Sequence, residues 1–155
     1  EGLNESRAEN RHHADGDAMS ELVDMLKRHE GVRLFPYHDS VGKLTIGIGR
    51  NLDDVGISID EAEFLLMNDI HHVQGELRRT YPWFALLLAA RQDCLSDLAF
   101  NVGMTGFAKF EATIAAIKRA DYEGASRHML ASKWATQVGR RATDLATMME
   151  TGDYL

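Results

Sequence analysis

The sequence lacks several features that would assign it to a class at once. It has one cysteine, Cys94, in 155 residues, and this excludes an internal disulfide. No apolar run approaches the roughly 18–20 residues of a membrane-spanning helix, and the first residues lack the charged-then-apolar pattern of a signal peptide. We therefore expect neither membrane insertion nor export through a signal peptide.

Positive charge is also scarce. The formal net charge is −7, and no segment of the chain forms a strong basic patch. Nucleic acids and anionic membrane surfaces favour such patches, so we set both aside as partners. Residues 1–18 contribute −3 to the charge, from five acids and two arginines, which leaves about −4 for the remainder.

What the chain does contain is the composition of an ordinary soluble globule, with 45% hydrophobic and 26% charged residues. Its length fits one domain, or two small lobes that share a core. Residues 1–16 are polar and without sustained period, which predicts a linker or a frayed start. The missing initiator Met favours a trimmed piece of a longer protein or a processed product. His12-His13 could bind a metal, but no Cys or carboxylate has matching ligand spacing, so we expect a solvated pair.

From Asp17 onward the pattern becomes helical. Asp17 is the expected N-cap, and an apolar stripe follows at i, i+3, i+4 and i+7: Leu22, Met25, Leu26 and His29. Gly31 is the expected stop. Residues 34–52 then change to strand and turn signals, with LFPYHD, a DSVG turn, and KLTIGIG. This region predicts a small antiparallel sheet of two or three strands.

The rest of the chain is predicted to be helical. Ser58 and Glu61 form a capping box that opens a helix running toward Pro82. The stretch FALLLAARQDCLSDLAFNVG predicts a central buried helix, in which Cys94 would be a plain core thiol. Shorter helices are expected at about 105–119, 121–132 with Asp121 as N-cap, and 139–150. The fold class is thus α+β and mostly helical: a small lobe at about 30–60, and a helical lobe from 17–29 and 61–155.

Glu30 is the first candidate for chemistry. It lies one turn beyond Leu26, so it continues the apolar stripe, and it sits at the negative end of the helix dipole. Both effects disfavour the charged carboxylate, as suits a general acid near neutral pH. The alternative is a surface glutamate at a helix end.

Asp39 and Thr45 are the second and third candidates. Asp39 precedes the turn and could serve only as a turn-former. Thr45 shares a strand face with Gly47 and Gly49, which leave room for a ligand or another backbone to approach. An acid, a carboxylate and a hydroxyl that can hold water are the equipment of glycoside hydrolysis.

The run LKRHEGVRLFPYHDSVGKLTIGIGR resembles the signature of phage-type lysozymes, the T-even phage lysozyme family (glycoside hydrolase family 24). These proteins carry an E-G-x-R-L-x-x-Y-x-D block followed by a T-I-G-I-G-H strand. The resemblance continues through DEAEFLLMNDI, LAFNVGMTGFAKF and SKWATQVGRRATDLATMMETGDYL, and so covers about residues 20–155. It implies a lysozyme-like fold with the active cleft between the two lobes.

The resemblance also implies an activity. Glu30 would protonate the glycosidic oxygen between N-acetylmuramic acid and N-acetylglucosamine in peptidoglycan. Asp39 would stabilise the oxocarbenium-like transition state and, with Thr45, position the attacking water. The family is similar to inverting enzymes, for which the two carboxyl groups lie roughly 6.5–9.5 Å apart. No cofactor or metal is expected, because acid and water supply the chemistry.

Other residues follow from the resemblance with alternatives left open. Arg141 matches an arginine that pairs with the catalytic glutamate, or it is a surface residue. Phe100 matches an aromatic at the cleft, or it is a buried core residue. Thr113 and His128 align with sugar-contacting positions of the helical lobe, although both differ in type from the usual Ser and Asn and could be ordinary helix-surface residues.

The chain also departs from the family. Arg50 replaces a histidine that relatives use in an acid–histidine pair that braces the cleft. Arginine can pair with an acid but does not titrate near neutral pH, so we expect a different pH behaviour. Asn51 follows as a candidate sugar contact. The segment after it is short, which predicts a smaller substrate-binding wall, and the acidic balance predicts weak steering toward an anionic cell wall.

Three functions are compatible with these residues. The first is an active muramidase, the second a lytic transglycosylase for which Asp39 and Thr45 would be expendable, and the third a lysozyme-shaped virion or wall-binding module that holds glycan without cleaving it. The retention of Glu30, Asp39 and Thr45 favours the first. Two phage settings fit: a free endolysin that reaches the periplasm through a holin, or a domain of a larger virion protein, which the first 16 residues favour. The isolated domain is expected to be a monomer.

Overall fold

The computed structural model describes residues 19–155, so the expectations for residues 1–16 and for the Asp17 cap lie outside the described part. The chain divides into two units, one that ends at Glu61 and one that spans Ala62–Leu155. This division falls beside the expected lobe boundary. The helix before Gly31 belongs to the first unit together with the sheet, whereas the sequence grouped residues 17–29 with the helical lobe.

The first unit begins with helix α1, which occupies residues 19–30 of the described chain. It ends where predicted, because Gly31 takes the left-handed conformation with φ +74° and donates its N–H to the Lys27 carbonyl at 3.0 Å. The apolar stripe of α1 remains partly exposed, with Leu22 at 44% and Leu26 at 42%. Packing within the first unit therefore does not bury this stripe.

A three-stranded antiparallel sheet follows, as predicted. Its strands are β1 (Arg33–His38), β2 (Leu44–Gly47) and β3 (Arg50–Asn51), in the order β1-β2-β3. Between Arg33 and Tyr37 the register of β1 against β2 shifts, and the irregular stretch contains Pro36. Proline has no N–H to donate to a strand ladder, so it is confined to edge strands and bulges of this kind.

Helix α2 (Ile59–Thr80) opens with the predicted capping box. The backbone N–H of Ser58 donates to Glu61 Oε2 at 2.7 Å, and the Glu61 N–H donates to the Ser58 hydroxyl at 3.2 Å. Two otherwise unpaired N–H groups of the first turn are satisfied in this way. The helix ends just before Pro82, as the sequence predicts.

The second unit continues with a 3₁₀ helix, Pro82–Leu86, and five further helices: α3 (Ala89–Phe107), α4 (Glu111–Lys118), α5 (Tyr122–Leu130), α6 (Lys133–Val138) and α7 (Arg140–Thr151). The mostly helical α+β class is thus confirmed. The prediction of one central helix from residue 84 is wrong at its start, because Leu87 and Leu88 are extended with ψ near 150°. Helix α3 is also kinked at Gly103, where φ is +71°.

The core of the second unit surrounds α3. Leu95, Leu98 and Phe107 of this helix are almost fully buried among side chains of α4, α5 and α7. Cys94 is the predicted core thiol: it has no exposed surface and donates to the Leu145 carbonyl at 3.1 Å. Burial raises the pKa of this thiol to about 12, so it is unreactive while α3 stays packed.

Arg91 fastens the last helix to this core. Its guanidinium is mostly buried and donates to the carbonyls of Met149 at 2.8 Å and Glu150 at 3.0 Å, near the end of α7. It also stacks 3.6 Å from the centroid of the Tyr122 ring. A cation at a helix C-terminus satisfies unpaired carbonyls and interacts well with the helix dipole. Within residues 19–155, no helix is both long and apolar enough to span a bilayer.

Candidate active site

Asp39 lies in the turn between β1 and β2 and organises that turn. Its Oδ1 accepts the N–H of Val41 at 3.0 Å and the N–H of Lys43 at 2.9 Å. The turn-forming role that the sequence left open is therefore real. Both bonds go to the same oxygen, so Oδ2 takes no part in the turn and the side chain is only half-buried. The carboxylate is held rigidly by one oxygen while the other can serve a ligand.

Thr45 is connected to Asp39 through the backbone of one residue. The Thr45 hydroxyl donates to the Lys43 carbonyl at 3.1 Å, and the Asp39 N–H donates to the same oxygen at 2.9 Å. Thr45 is also only 3% exposed, the single buried residue among residues 19–61. Lys43 thus couples the two predicted site residues. Sequence reasoning missed it, because its backbone makes the connection and a backbone role leaves no side-chain signal.

The cross-strand neighbours of Thr45 are Tyr37 on β1 and Asn51 on β3. Directly opposite residues of antiparallel strands project from the same face, so Asn51 shares the face of Thr45. The Asn51 amide is already engaged: its Nδ2 donates to Asp54 Oδ2 at 2.9 Å, and its Oδ1 accepts the Asp54 N–H at 3.0 Å. A role as a sugar contact would use the remaining hydrogen or lone pair of this amide.

Glu30 is the last residue of α1, and its side chain lies against the turn between β2 and β3. A Cβ built on Gly49 would lie 3.0 Å from Glu30 Oε2 and 3.2 Å from its Cδ. The sequence placed Gly49 in the strand of Thr45, with room for a ligand or another backbone. This is wrong, because Gly49 lies in the turn after that strand and the glutamate side chain occupies the space. Elsewhere the Glu30 side chain is exposed, so the burial expected from the apolar stripe is limited to this contact.

Arg50 pairs with Glu61, an acid that sequence reasoning did not name as its partner. Arg50 Nη2 donates to Glu61 Oε1 at 2.5 Å, and Nη1 lies 3.5 Å from the Gly56 carbonyl. The Ser58 backbone N–H lowers the pKa of Glu61 most. Desolvation opposes it as the second-largest effect, and the Ser58 hydroxyl and the Arg50 charge lower the pKa by smaller amounts. The pair therefore joins β3 to the first turn of α2.

In the second unit, Arg141 pairs with Asp97. Arg141 Nε donates to Asp97 Oδ1 at 2.7 Å, and Nη2 lies 3.4 Å from the Asp97 carbonyl. Phe100, which is 45% exposed, lines a surface pocket of about 410 Å³ together with this pair. Phe100 is therefore not the buried core residue of one alternative. Arg141 is ion-paired, which the alternative of a plain surface residue does not describe. The predicted pairing of Arg141 with Glu30 stays a prediction.

Thr113 and His128 line a second pocket of about 590 Å³ in the same unit. Thr113 is buried at 2% exposure, so the alternative of an ordinary surface residue is wrong for it, whereas His128 is exposed. Lys109 and Lys133 bring positive charge to the rim, and Trp134 supplies an aromatic wall. No set of three His, Cys, Asp or Glu residues in the described chain has the geometry of a metal site.

The chain is similar in sequence to several phage proteins and lysozymes. The chain is 27% identical to the pre-baseplate central spike protein Gp5 of Enterobacteria phage T4, over 90% of its own length but 29% of the spike protein. It is 31% identical to an endolysin of Acyrthosiphon pisum secondary endosymbiont phage 1, covering 81% of this chain and 86% of the relative. The chain is also 26% identical to a probable T4-type lysozyme 2 of Dictyostelium discoideum, and this match covers 86% of this chain and 96% of the relative.

The match to the endolysin is both long and above 30% identity, whereas the chain spans less than a third of the spike protein that it also matches. A family profile described as phage lysozyme matches residues 27–148, which include Glu30, Asp39 and Thr45 and extend through Arg141. The chain therefore belongs to the phage lysozyme family.

Proposed function

We propose that this chain is a peptidoglycan hydrolase that cleaves the β-1,4 bond between N-acetylmuramic acid and N-acetylglucosamine. One observation carries the proposal. The Lys43 carbonyl binds both the Asp39 N–H and the Thr45 hydroxyl, while the Glu30 carboxyl lies against the hairpin turn that follows the strand of Thr45. The first unit thus contains an acid, a fixed carboxylate and a hydroxyl on adjoining elements.

In this mechanism Glu30 gives its proton to the glycosidic oxygen as the bond to the anomeric carbon breaks. Positive charge develops at that carbon, and the Asp39 carboxylate stabilises it. Asp39 Oδ1 is saturated by two backbone N–H groups, so Oδ2 is the oxygen that acts. The two backbone bonds hold this charge in place without reorganisation during the reaction.

The attacking water is positioned by the remaining acceptors. The Thr45 hydroxyl gives its hydrogen to the Lys43 carbonyl, so toward water it acts as an acceptor. A water that donates one hydrogen to Thr45 Oγ1 and the other to Asp39 Oδ2 presents its lone pair to the anomeric carbon. As the new C–O bond forms, the proton directed at Asp39 Oδ2 passes to that carboxylate, which acts as the general base. This arrangement gives inversion and requires carboxyl groups separated by roughly 6.5–9.5 Å.

The same proposal assigns glycan contacts to Asn51 and Phe100, and to the pocket that contains Thr113 and His128. The pocket combines an aromatic wall with polar groups, which suits amide and hydroxyl groups of the substrate. Arg50 acts as a support, because its pair with Glu61 fastens the strand next to Thr45. Arg141 acts as a support within the second unit, where it pairs with Asp97.

The activity is tested by turbidity loss of outer-membrane-permeabilised Gram-negative cells. The wild-type protein is expected to clear them, and Glu30→Gln is expected to lose at least 10²–10⁴-fold in rate, roughly the contribution of a general acid. The melting temperature of Glu30→Gln should stay near that of the wild type, which separates lost chemistry from lost folding. Wild-type curves that match buffer would overturn the proposal and favour a wall-binding module.

We further propose that the chain acts as the lysozyme part of a larger virion protein. The spike-protein relative is aligned over 90% of this chain but only 29% of its own length, so such a domain exists within a longer polypeptide there. Mass spectrometry of purified particles should find these peptides in a protein well above 17.3 kDa. Peptides found only in a free protein of that mass in the lysate would favour the endolysin setting.

A further inference from the structure

We propose that Gly49 is a positioning residue for the acid, because its missing side chain makes the space in which the Glu30 carboxyl lies. The effect on catalysis rests on the proposed function. The contact between the Glu30 carboxyl and Gly49 does not depend on it. Gly49 is the second residue of the two-residue turn Ile48-Gly49, which connects β2 to β3.

The contact is close along the whole end of the glutamate. A Cβ on Gly49 would stand 3.0 Å from Oε2, 3.2 Å from Cδ and 3.3 Å from Cγ of Glu30. Contacts of 3.0–3.3 Å are tighter than a Cβ normally makes, so any larger residue would push these atoms back by a few tenths of an ångström. Glu30 is exposed on its other sides, and its side chain would rotate away instead of deforming the backbone.

The displacement matters because of what else the hairpin carries. Strands β2 and β3 pair Thr45 with Asn51, and Thr45 is connected to Asp39 through the Lys43 carbonyl. By resting on Gly49, the Glu30 carboxyl is held in register with the groups that position the water. A general acid must come within about 2.6–3.2 Å of the oxygen it protonates, and a shift of about 1 Å can cost 10²-fold in rate.

Glycine at this position has a second cause that must be separated from the first. The φ of Gly49 is +72°, a left-handed conformation that strains any residue with a Cβ. Gly56 offers a matched control, since its φ is +64° and nothing lies within 4 Å of a Cβ built on it. Gly49→Ala and Gly56→Ala therefore carry similar backbone strain, but only the first displaces Glu30.

The experiment compares both variants in the full chain. Both should lower the melting temperature by similar amounts. Gly49→Ala should lower kcat severalfold while KM changes less than twofold, whereas Gly56→Ala should retain kcat. Equal kcat values for the two variants would overturn the inference. If Gly49→Ala does not fold, Gly49→Asn replaces it, because asparagine tolerates the left-handed region and still adds a Cβ.

A second readout does not depend on activity. In protein labelled with ¹³C at the glutamate carboxyl carbons, the Glu30 signal is assigned by its absence in Glu30→Gln. This signal should move in Gly49→Ala and stay in place in Gly56→Ala. If the wild-type protein proves inactive but the signal moves, the proposed function fails and the contact stands. An unmoved signal in Gly49→Ala overturns the contact itself.

Discussion

The two units of this chain differ in how their described residues are stabilised. In the first unit, Thr45 is the single buried residue among residues 19–61, and the sheet is held by turn glycines, backbone bonds to Asp39 and ion pairs such as Arg50–Glu61. The second unit buries a continuous hydrophobic cluster that extends from Leu77 to Met149. Polar geometry stabilises the unit with the proposed chemistry, and apolar packing stabilises the other.

This difference separates two kinds of mutational effect. In a hydrophobic core, removing a side chain costs free energy of unfolding but moves no reacting group directly. In a sheet held by oriented polar contacts, a small change redirects side chains at little cost in stability. We therefore expect core substitutions in the second unit to act mainly on melting temperature, and substitutions of Glu30, Asp39 and Thr45 in the first to act mainly on rate.

The largest effect on stability is expected for Phe107→Ala. Phe107 is 1% exposed and packs edge-to-face with Tyr81, so its loss should lower the free energy of unfolding by about 3–5 kcal/mol. Phe64→Ala, at a side chain that is 68% exposed, should change it by less than about 0.5 kcal/mol. Urea unfolding measures both. Similar losses for the two variants would contradict the contrast between core and surface.

Thr45→Val tests the polar side of the comparison. Valine keeps the shape but removes the hydroxyl that donates to the Lys43 carbonyl, a bond of about 0.5–1.5 kcal/mol in stability. Because the hydroxyl is also proposed to accept from the attacking water, the rate should fall at least tenfold. Thr143→Val is the control: it removes an exposed hydroxyl bonded to the Arg140 carbonyl in the second unit. Equal rates for the two variants would remove Thr45 from the mechanism.

Arg50→His should convert a pH-independent support into a titrating one. In the wild type, the pKa of Glu61 is lowered in the folded state, chiefly by the Ser58 backbone N–H and least by the Arg50 charge. The stabilisation that goes with this shift is present above the usual pKa of a glutamate and lost only as pH falls through the lowered value. A histidine paired with Glu61 would have a raised pKa. Its contribution would be present below its usual pKa of about 6.5 and lost as pH rises through the raised value.

The melting temperature of Arg50→His should therefore fall by roughly 1–3 °C more than that of the wild type between pH 6 and 8. The control is Arg79→His, because Arg79 pairs with Glu76 at 2.8 Å but its side chain is 71% exposed. Parallel melting curves for Arg50→His and wild type across this range would mean that the Arg50–Glu61 pair does not support the unit.

The smallest effect is expected for Lys43→Met. The Lys43 ammonium lies 2.8 Å from Asp54 Oδ1, but the two side chains are 42% and 55% exposed. Such a pair contributes about 0–1 kcal/mol and is screened by salt. The loss in unfolding free energy should disappear at about 1 M NaCl, where the Debye length is about 3 Å. A salt-independent loss would show that the Lys43 side chain has a packing role.

Local signals made much of the fold predictable. The Ser58–Glu61 capping box, the Gly31 stop and the Asp121 cap, whose Oδ1 accepts the Gly124 N–H at 2.8 Å, each depend on residues four or fewer positions apart. The break at Leu87 and Leu88 was missed, because the run FALLLAAR contains no Gly or Pro to mark it. Helix α6 was missed because six residues are too short to establish a period.

The sequence predicted the candidate residues of the site but not the contacts that the structure gives them. Glu30, Asp39 and Thr45 were identified from their order along the chain and the family resemblance. Their connection through the Lys43 carbonyl depends on hairpin register, and the contact of Glu30 with Gly49 depends on how α1 meets the sheet. The Arg141–Asp97 pair joins residues 44 positions apart, a separation at which no local pattern selects a partner.

The central claim is that Glu30 drives hydrolysis with a water held by Asp39 and Thr45. The most direct test is to digest peptidoglycan sacculi in H₂¹⁸O and to measure the masses of the released fragments by mass spectrometry. We expect reducing muramic acid ends that carry one ¹⁸O, absent from the Glu30→Gln digest and strongly reduced for Thr45→Val. Unlabelled anhydro ends would show that no water attacks, and would contradict the roles given to Asp39 and Thr45.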